Sequence, residues 1–516
     1  MSAAAPTPSP IADRNPAPVH KWAAGGAVMI GAVLQALDVS IINVALPYMQ
    51  QTFHVGIDQI SWVVTSYLVA ISVMIPMTGW LATRIGRKRY LVGSMLAFVA
   101  ASALCGLARG IGQIVIFRVI QGAAGAAMIP LSQAVMLETF PIEEHTLAMT
   151  TFGMGVMVAP VLGPTLGGWI TMNWSWRWNF FINVPAGIAG ALLVQAFVHD
   201  PAYLREQRGS GRVDYPGIIL IALALGLFQI VLGRGGRAGW FESRWVQCFS
   251  FASALSMVLF VVRELRFSEP ILDLRMLKIL GFTVSVLLLS LQALVLFSVN
   301  LLNPLFMETV LGYDAWQAGL AVAPRGIGVI IALLVASQLA RRGTDMRPFV
   351  VAGFVLGAFE VWRMSHWTLT TGMGAVLIPI FLFGLGLGAV YPTLTAIGVG
   401  QIRRERIGFA ASLFNMMINT GAAAGIAVVT NLLTVRWRVH QAALGLGVSP
   451  APIASPEMAP IPGAAVHLVH GPLASQAWLM AYNDMYRILA IVVLLLAPWP
   501  MLLKRITGGS SEMILE

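Results

Sequence analysis

An all-α protein that crosses a membrane many times is the fold class this sequence predicts, on three observations. Hydrophobic residues fill 58% of its 516 positions and charged residues only 10%, far below the ~25% charge of an ordinary soluble domain. Apolar runs recur from Trp22 to the C-terminus, and runs of about 20 residues are long enough to cross ~30 Å of hydrocarbon as helices. The net charge of +10 sits in short segments between those runs, a distribution that reports membrane orientation rather than nucleic-acid binding.

Taken in order, the runs predict fourteen spans. Residues 1–21 are rich in Pro and Ala and lack an apolar core, so they read as a disordered tail ahead of a retained first span, not a cleaved signal. Six spans start near residues 22, 60, 90, 111, 147 and 178. The hydrophilic stretch PAYLREQRGSGRV at 200–212 then reads as a flexible linker, and spans starting near 214 and 245 follow it. Six more start near 282, 315, 347, 373, 407 and 483. Residues 434–481, rich in Pro, Ala and Gly, read as an extracytoplasmic loop between the last two spans, and 504–516 as a C-terminal tail. An even number of spans puts both termini on one side. Most of the 32 Lys and Arg residues fall in segments on that side, which predicts both termini inside; the acidic loop ETFPIEEHT at 138–146 opposes the bias.

Several chemistries find no support. The two cysteines, Cys105 and Cys248, form no CxxC and no Cys/His spacing that would hold a metal or a redox pair. No phosphate-binding GxxxxGK[ST] loop, HExxH or hydrolase elbow occurs, so neither ATP drive, nor a cofactor or metal site, nor enzymatic catalysis is expected.

Three segments carry patterned chemistry. In GWLATRIGRKR, at 79–89, Gly79 and Gly86 permit close approach and a tight turn, while Arg84 and Arg87 are placed to pair with acids or helix C-termini. IVIFRVIQGAAGAAMIP, at 114–130, embeds Arg118 in a span with Gln121 and Gly122 on the same face. In GMGVMVAPVLGPTLGGWI, at 153–170, Gly155, Ala159, Gly163 and Gly167 recur every four residues, a ridge that lets two helices touch backbone to backbone, and Pro160 and Pro164 stiffen and bend it.

At these relative positions the three segments resemble the signatures of the major facilitator superfamily. LDVSIINVALP in the first span, SWRWNFFINVPAG at 175–187 and AGLAVAPRGIG at 318–328 resemble its 14-span drug:proton antiporters of the EmrB/QacA type, from about residue 22 to 440. The resemblance implies a six-helix bundle over 22–199, a second over 282–503, the linker and two extra spans between them over 200–281, and export driven by inward proton flow. One departure stands out. The family's loop usually has an aspartate where this chain has Thr83, so a charge relay closing that side is not carried over, although Gly79, Arg84, Gly86 and Arg87 match and a gating loop is still expected.

Asp38 is the acid inside the first span. A charge at mid-bilayer costs ~2.5–3.5 kcal/mol, so such residues usually face the bundle interior and carry function. It reads as a proton carrier, with Gln35 one turn earlier placed to orient it; a structural hydrogen-bonding role stays open. By resemblance, Arg118 assists proton transfer; a counter-charge for Asp38, a contact to an anionic substrate and a packing role through Gln121 and backbone carbonyls stay open. Candidates for a substrate cavity are Gln121, Arg325, Glu360 and Asn415. For Arg325 a helix-end snorkel is equally compatible, and for Glu360 a local ion pair with Arg363.

The resemblance implies a proton-coupled multidrug efflux transporter that exports amphipathic toxic compounds across the bacterial inner membrane. It also implies a periplasmic membrane-fusion adaptor and an outer-membrane channel as partners, with 434–481 as a candidate docking surface. Two alternatives stay open: a dedicated exporter of one endogenous metabolite, such as a fatty acid or siderophore, and a membrane sensor that binds ligand without transport.

Overall fold

The structure, a computed structural model, describes residues 18–141, 144–200, 214–267, 270–388, 390–403, 406–446 and 464–503. Among these, all regular secondary structure is helical. The long helices are α1 (Pro18–Phe53), α2 (Trp62–Ile85), α3 (Arg87–Leu107), α4 (Ile111–Thr139), α5 (His145–Asn173), α6 (Trp178–Phe197) and α7 (Tyr215–Arg234). They continue with α8 (Arg244–Arg266), α9 (Leu280–Thr309), α10 (Gln317–Ala340), α11 (Arg347–Met364), α12 (Met373–Val399), α13 (Ile407–Leu446) and α14 (Ala464–Leu496). Twelve helices are long and apolar enough to cross a membrane by length and composition; α5 and α11 occupy the two remaining expected positions. The linker 201–213, residues 1–17 of the expected N-terminal tail and the tail 504–516 lie outside the described residues.

Local chemistry sets the boundaries. Gly86 adopts φ +93°, a left-handed-side value that costs glycine little, and it ends α2 and starts α3 in a single residue. Asp214 caps α7 by accepting from the Gly217 amide at 3.0 Å, which satisfies an orphan first-turn donor. The segment 434–481 is helical at both ends: α13 runs 40 residues to Leu446 and α14 resumes at Ala464. TVRWRVHQAALGL at 434–446 contains no proline, whereas five prolines crowd 450–462, so nothing stops α13 earlier. Forty residues of α-helix span about 60 Å, twice the hydrocarbon thickness, so this hairpin projects beyond it. Stacked rings of Trp437 and Trp478, 4.9 Å apart, hold its two arms together. Asp484 adds an ion pair to Arg436 and a hydrogen bond with His440 Nε2, each at 2.7 Å.

Two helical halves form around α1 and α9. Helix α1 packs on α4, α5 and α6, and α9 on α12, α13 and α14. A repeat underlies the likeness: LQAL occurs at 34–37 in α1 and 291–294 in α9, and a proline inside the helix, Pro47 or Pro304, stands twelve residues after each glutamine. Gln35 accepts from the Ile129 amide of α4 at 3.1 Å, and Gln292 donates to the Leu387 carbonyl of α12 at 3.0 Å. The inserted helix α7 leans on both α2 and α13, one from each half, and α8 packs on α7.

Candidate functional site

Asp38 lies near the middle of α1 and is fully buried, with Arg118 beside it 1% exposed. Arg118 Nη1 donates to Asp38 Oδ2 at 2.5 Å, while Gln121 Nε2 and Asn183 Nδ2 donate to Oδ1 at 2.9 and 3.1 Å. The guanidinium is itself held: Nε donates to the Val63 carbonyl at 3.1 Å and Nη1 to Gln121 Oε1 at 2.9 Å, and its carbon lies 3.9 Å from the centre of the Tyr67 ring. Residues of α1, α2, α4 and α6 thus converge on one carboxylate. Such pairing is what makes an intramembrane charge tolerable, and removing one partner of a buried pair is far more costly than removing both.

Gln35 departs from the expected role. Its oxygen accepts from Ile129 rather than serving Asp38, because α4 breaks at Ala126–Ala127 and leaves first-turn amides of its second segment unpartnered. Gln121, expected in a substrate cavity, belongs instead to the Asp38 site. Glu360 pairs with Arg363 at 3.1 Å on α11, which packs on α12 and α14 away from the other half, so the structure does not bring it to a shared cavity. Arg325 is 8% exposed on α10, which removes the snorkel, and its Nη1 has no hydrogen-bond partner among the described residues.

A second constellation closes one end of the seam between halves. Thr78 Oγ1 and Ser412 Oγ are 2.7 Å apart, Asn415 Nδ2 donates to Gln133 Oε1 at 2.6 Å, and Gln133 Nε2 donates to the Tyr391 hydroxyl. Gly79 lies directly on Gly408: a Cβ there would sit 2.9 Å from the Gly408 oxygen. Arg87 is buried and pairs with Glu138 of α4, while Thr83 bonds the Trp80 carbonyl of its own helix at 2.7 Å. Arg84 lies over the Trp80 ring. Asn415 therefore acts across the halves at this end rather than in an open chamber.

The α5 ridge faces α1 on both sides of Asp38 along the helix. A Cβ on Gly167 would meet the Ile41 oxygen at 2.9 Å, one on Gly155 would meet Met29, and one on Gly163 would meet Ser40. The side chains of Pro160 and Pro164 lie outside the described residues. Gly167→Val is expected to cost about 1–3 kcal/mol through overpacking, read as a lower unfolding temperature of purified protein; an unchanged midpoint would remove the ridge from the packing argument.

The major facilitator superfamily pattern matches residues 28–426. The chain belongs to that superfamily. It is 34% identical over 425 residues to multidrug export protein EmrB of Escherichia coli K12, covering 82% of each chain. It is 32% identical over 480 residues to fatty acid resistance protein FarB of Neisseria gonorrhoeae, covering 91% of this chain and 93% of that one. Among solved structures, the human organic anion transporter MFSD10 superposes with TM-score 0.61 at 13% identity, covering 93% of this chain and 99% of that chain. The proton:xylose symporter XylE superposes with TM-score 0.57 at 15% identity, covering 92% and 95%. These place the chain among EmrB-type facilitator transporters, proteins that move small molecules and are not enzymes.

For this superfamily member, reading the sequence alone missed Asn183, Tyr67 and Gln133. Asn183 stands inside the SWRWNFFINVPAG motif and Gln133 is the sole amide in IPLSQAV, so each carried a signal. Tyr67 carried none, since an aromatic in an apolar span is ordinary.

Proposed function

We propose that this transporter exports amphipathic toxic compounds in exchange for protons, with Asp38 as the site that binds and releases the proton. The observation that carries this reading is the sealed Asp38–Arg118–Gln121–Asn183 network. A carboxylate on α1 whose partners come from α4 and α6 changes its environment whenever those helices shift. Protonation of Asp38 breaks its ion pair with Arg118, so proton exchange and rearrangement are linked. All fourteen long helices cross the bacterial inner membrane with both termini inside, which puts the Gly79–Gly408 contact at the cytoplasmic end. The conformation described is then the one closed to the cytoplasm, with the loop 79–89 and the Gln133–Asn415–Tyr391 bonds as its latch. The projecting α13–α14 hairpin is the surface offered to a periplasmic adaptor that leads to an outer-membrane channel.

Proteoliposomes test the central step. With an imposed proton gradient, addition of an amphipathic substrate is expected to raise proton flux through the wild-type protein. A protein that moves substrate uphill with no proton flux, or moves neither, would overturn this reading.

A specific observation favours a second reading, a dedicated exporter of one anionic metabolite. Arg325 is a buried cation with no ion pair among the described residues, and the anionic group of a ligand would complete it. Competition between anionic and cationic compounds for transport separates the two readings.

A further inference from the structure

A crevice of about 460 Å³ runs between α1 and α6, lined by Gly26, Met29, Val33, Leu37, Ala186 and Asn183 among others. Its volume falls within the ~300–1,000 Å³ of ordinary small-molecule sites. It follows α1 from Gly26 to Leu37, about 16 Å at the helical rise, and its wall is apolar except at Asn183. Gly26 is exposed at one end, and Asn183 is 1% exposed at the other.

The amide of Asn183 is only half used. Nδ2 donates to Asp38 Oδ1 and to Ser102 Oγ, both at 3.1 Å. The carboxylate can only accept, which fixes the amide orientation and leaves Oδ1 as the group without a partner among the described residues. Asn183 lines the crevice, so this oxygen is open to a donor on a molecule held there. The tails of bilayer phospholipids carry no donor.

We infer that this crevice is a binding site for an uncharged, mostly apolar molecule ending in one O–H donor, with that hydroxyl on Asn183 Oδ1. A phenol with an alkyl tail has this chemistry, and it is neutral at pH 7 because phenols titrate near ~10. The ligand does not touch Asp38. The other groups facing Asp38 are Arg118 and Gln121 from α4, Tyr67 from α2 and Cys105 from α3, the last through its contact with Gln121 at 3.6 Å. None of them lines the crevice. The site stands on the crevice and Asn183 alone, not on the exporter reading.

The test uses the full chain in phosphatidylcholine nanodiscs without any gradient. A para-alkylphenol bearing a diazirine is photo-crosslinked and the labelled peptides are mapped. Label is expected in 26–37 and 182–186. The O-methyl ether of the same probe, which has no donor, is expected to bind about fivefold more weakly, the loss of one neutral hydrogen bond. Gly26→Phe fills the mouth where a Cβ meets nothing within 4 Å, and Ala186→Phe fills the middle; each is expected to reduce labelling about tenfold or more while the protein keeps its elution volume. Equal labelling by phenol and ether overturns the role of Asn183. Label elsewhere, or a tail-labelled phosphatidylcholine that marks the crevice and is not displaced by the phenol, overturns the site. Because binding is read at equilibrium, a protein that fails to transport yet binds sinks the exporter reading alone, and one that exports yet never labels sinks only this site.

Discussion

Asp38→Asn is expected to abolish uphill export while leaving substrate binding in place. The asparagine keeps the shape of the carboxylate but cannot take up and release a proton, so substrate inside and outside should reach equal concentration in proteoliposomes whatever gradient is imposed. The single variant also leaves Arg118 as an uncompensated buried cation, a loss of about 3–5 kcal/mol by analogy with other broken buried pairs. Poor yield would therefore be ambiguous by itself. Asp38→Asn/Arg118→Gln removes both charges at once and is expected to regain most of that stability without regaining proton-driven export. Uphill export by the stable double variant would sink the coupling role, and restored stability without it would separate coupling from folding.

Gly79→Val is expected to hold the seam open at the end that carries the 79–89 loop. Even a single Cβ there would lie 2.9 Å from the Gly408 oxygen and 3.0 Å from the Phe409 Cα, and backbone cannot yield as a side-chain tip can. The neighbouring hydroxyls of Thr78 and Ser412, 2.7 Å apart, supply the reporter. In a background lacking Cys105 and Cys248, cysteines at positions 78 and 412 are expected to form a disulfide readily. Adding Gly79→Val should lower that yield and export by about tenfold, since overpacking costs ~1–3 kcal/mol. Unchanged cross-linking would mean that the two helices part easily and that Gly79 does not gate.

The order and approximate starts of the helices were legible in the sequence because a ~30 Å apolar layer demands long unbroken hydrophobic runs, and the chain supplies them between charged loops. The exception was the last connection. Alternating basic, apolar and Ala residues at 434–446 support a helix outside hydrocarbon as well as inside it, so hydropathy alone placed the boundary too early in α13 and too late in α14. At the site, Asp38, Arg118 and Gln121 could be picked out because a polar group in an apolar run is conspicuous. What joined them was not: helical spacing put Gln35 on the face of Asp38, yet the break in α4 turned it to the Ile129 amide. Asn183 entered from a helix 145 positions away, and no local period announces such a partner. Similarly, Thr83 suggested a missing relay, whereas Glu138 of α4 supplies the acid that Arg87 pairs with.

The repeated LQAL of α1 and α9 ends in different company: Asp38 follows it in the first helix and Val295 in the second. The two halves share a scaffold, but only one of them carries a carboxyl group at that register. If a single hydrogen ion is traded per turnover for an uncharged cargo, a 100 mV potential supplies ~2.3 kcal/mol, which caps the attainable accumulation ratio at roughly fifty to one before any pH difference is added.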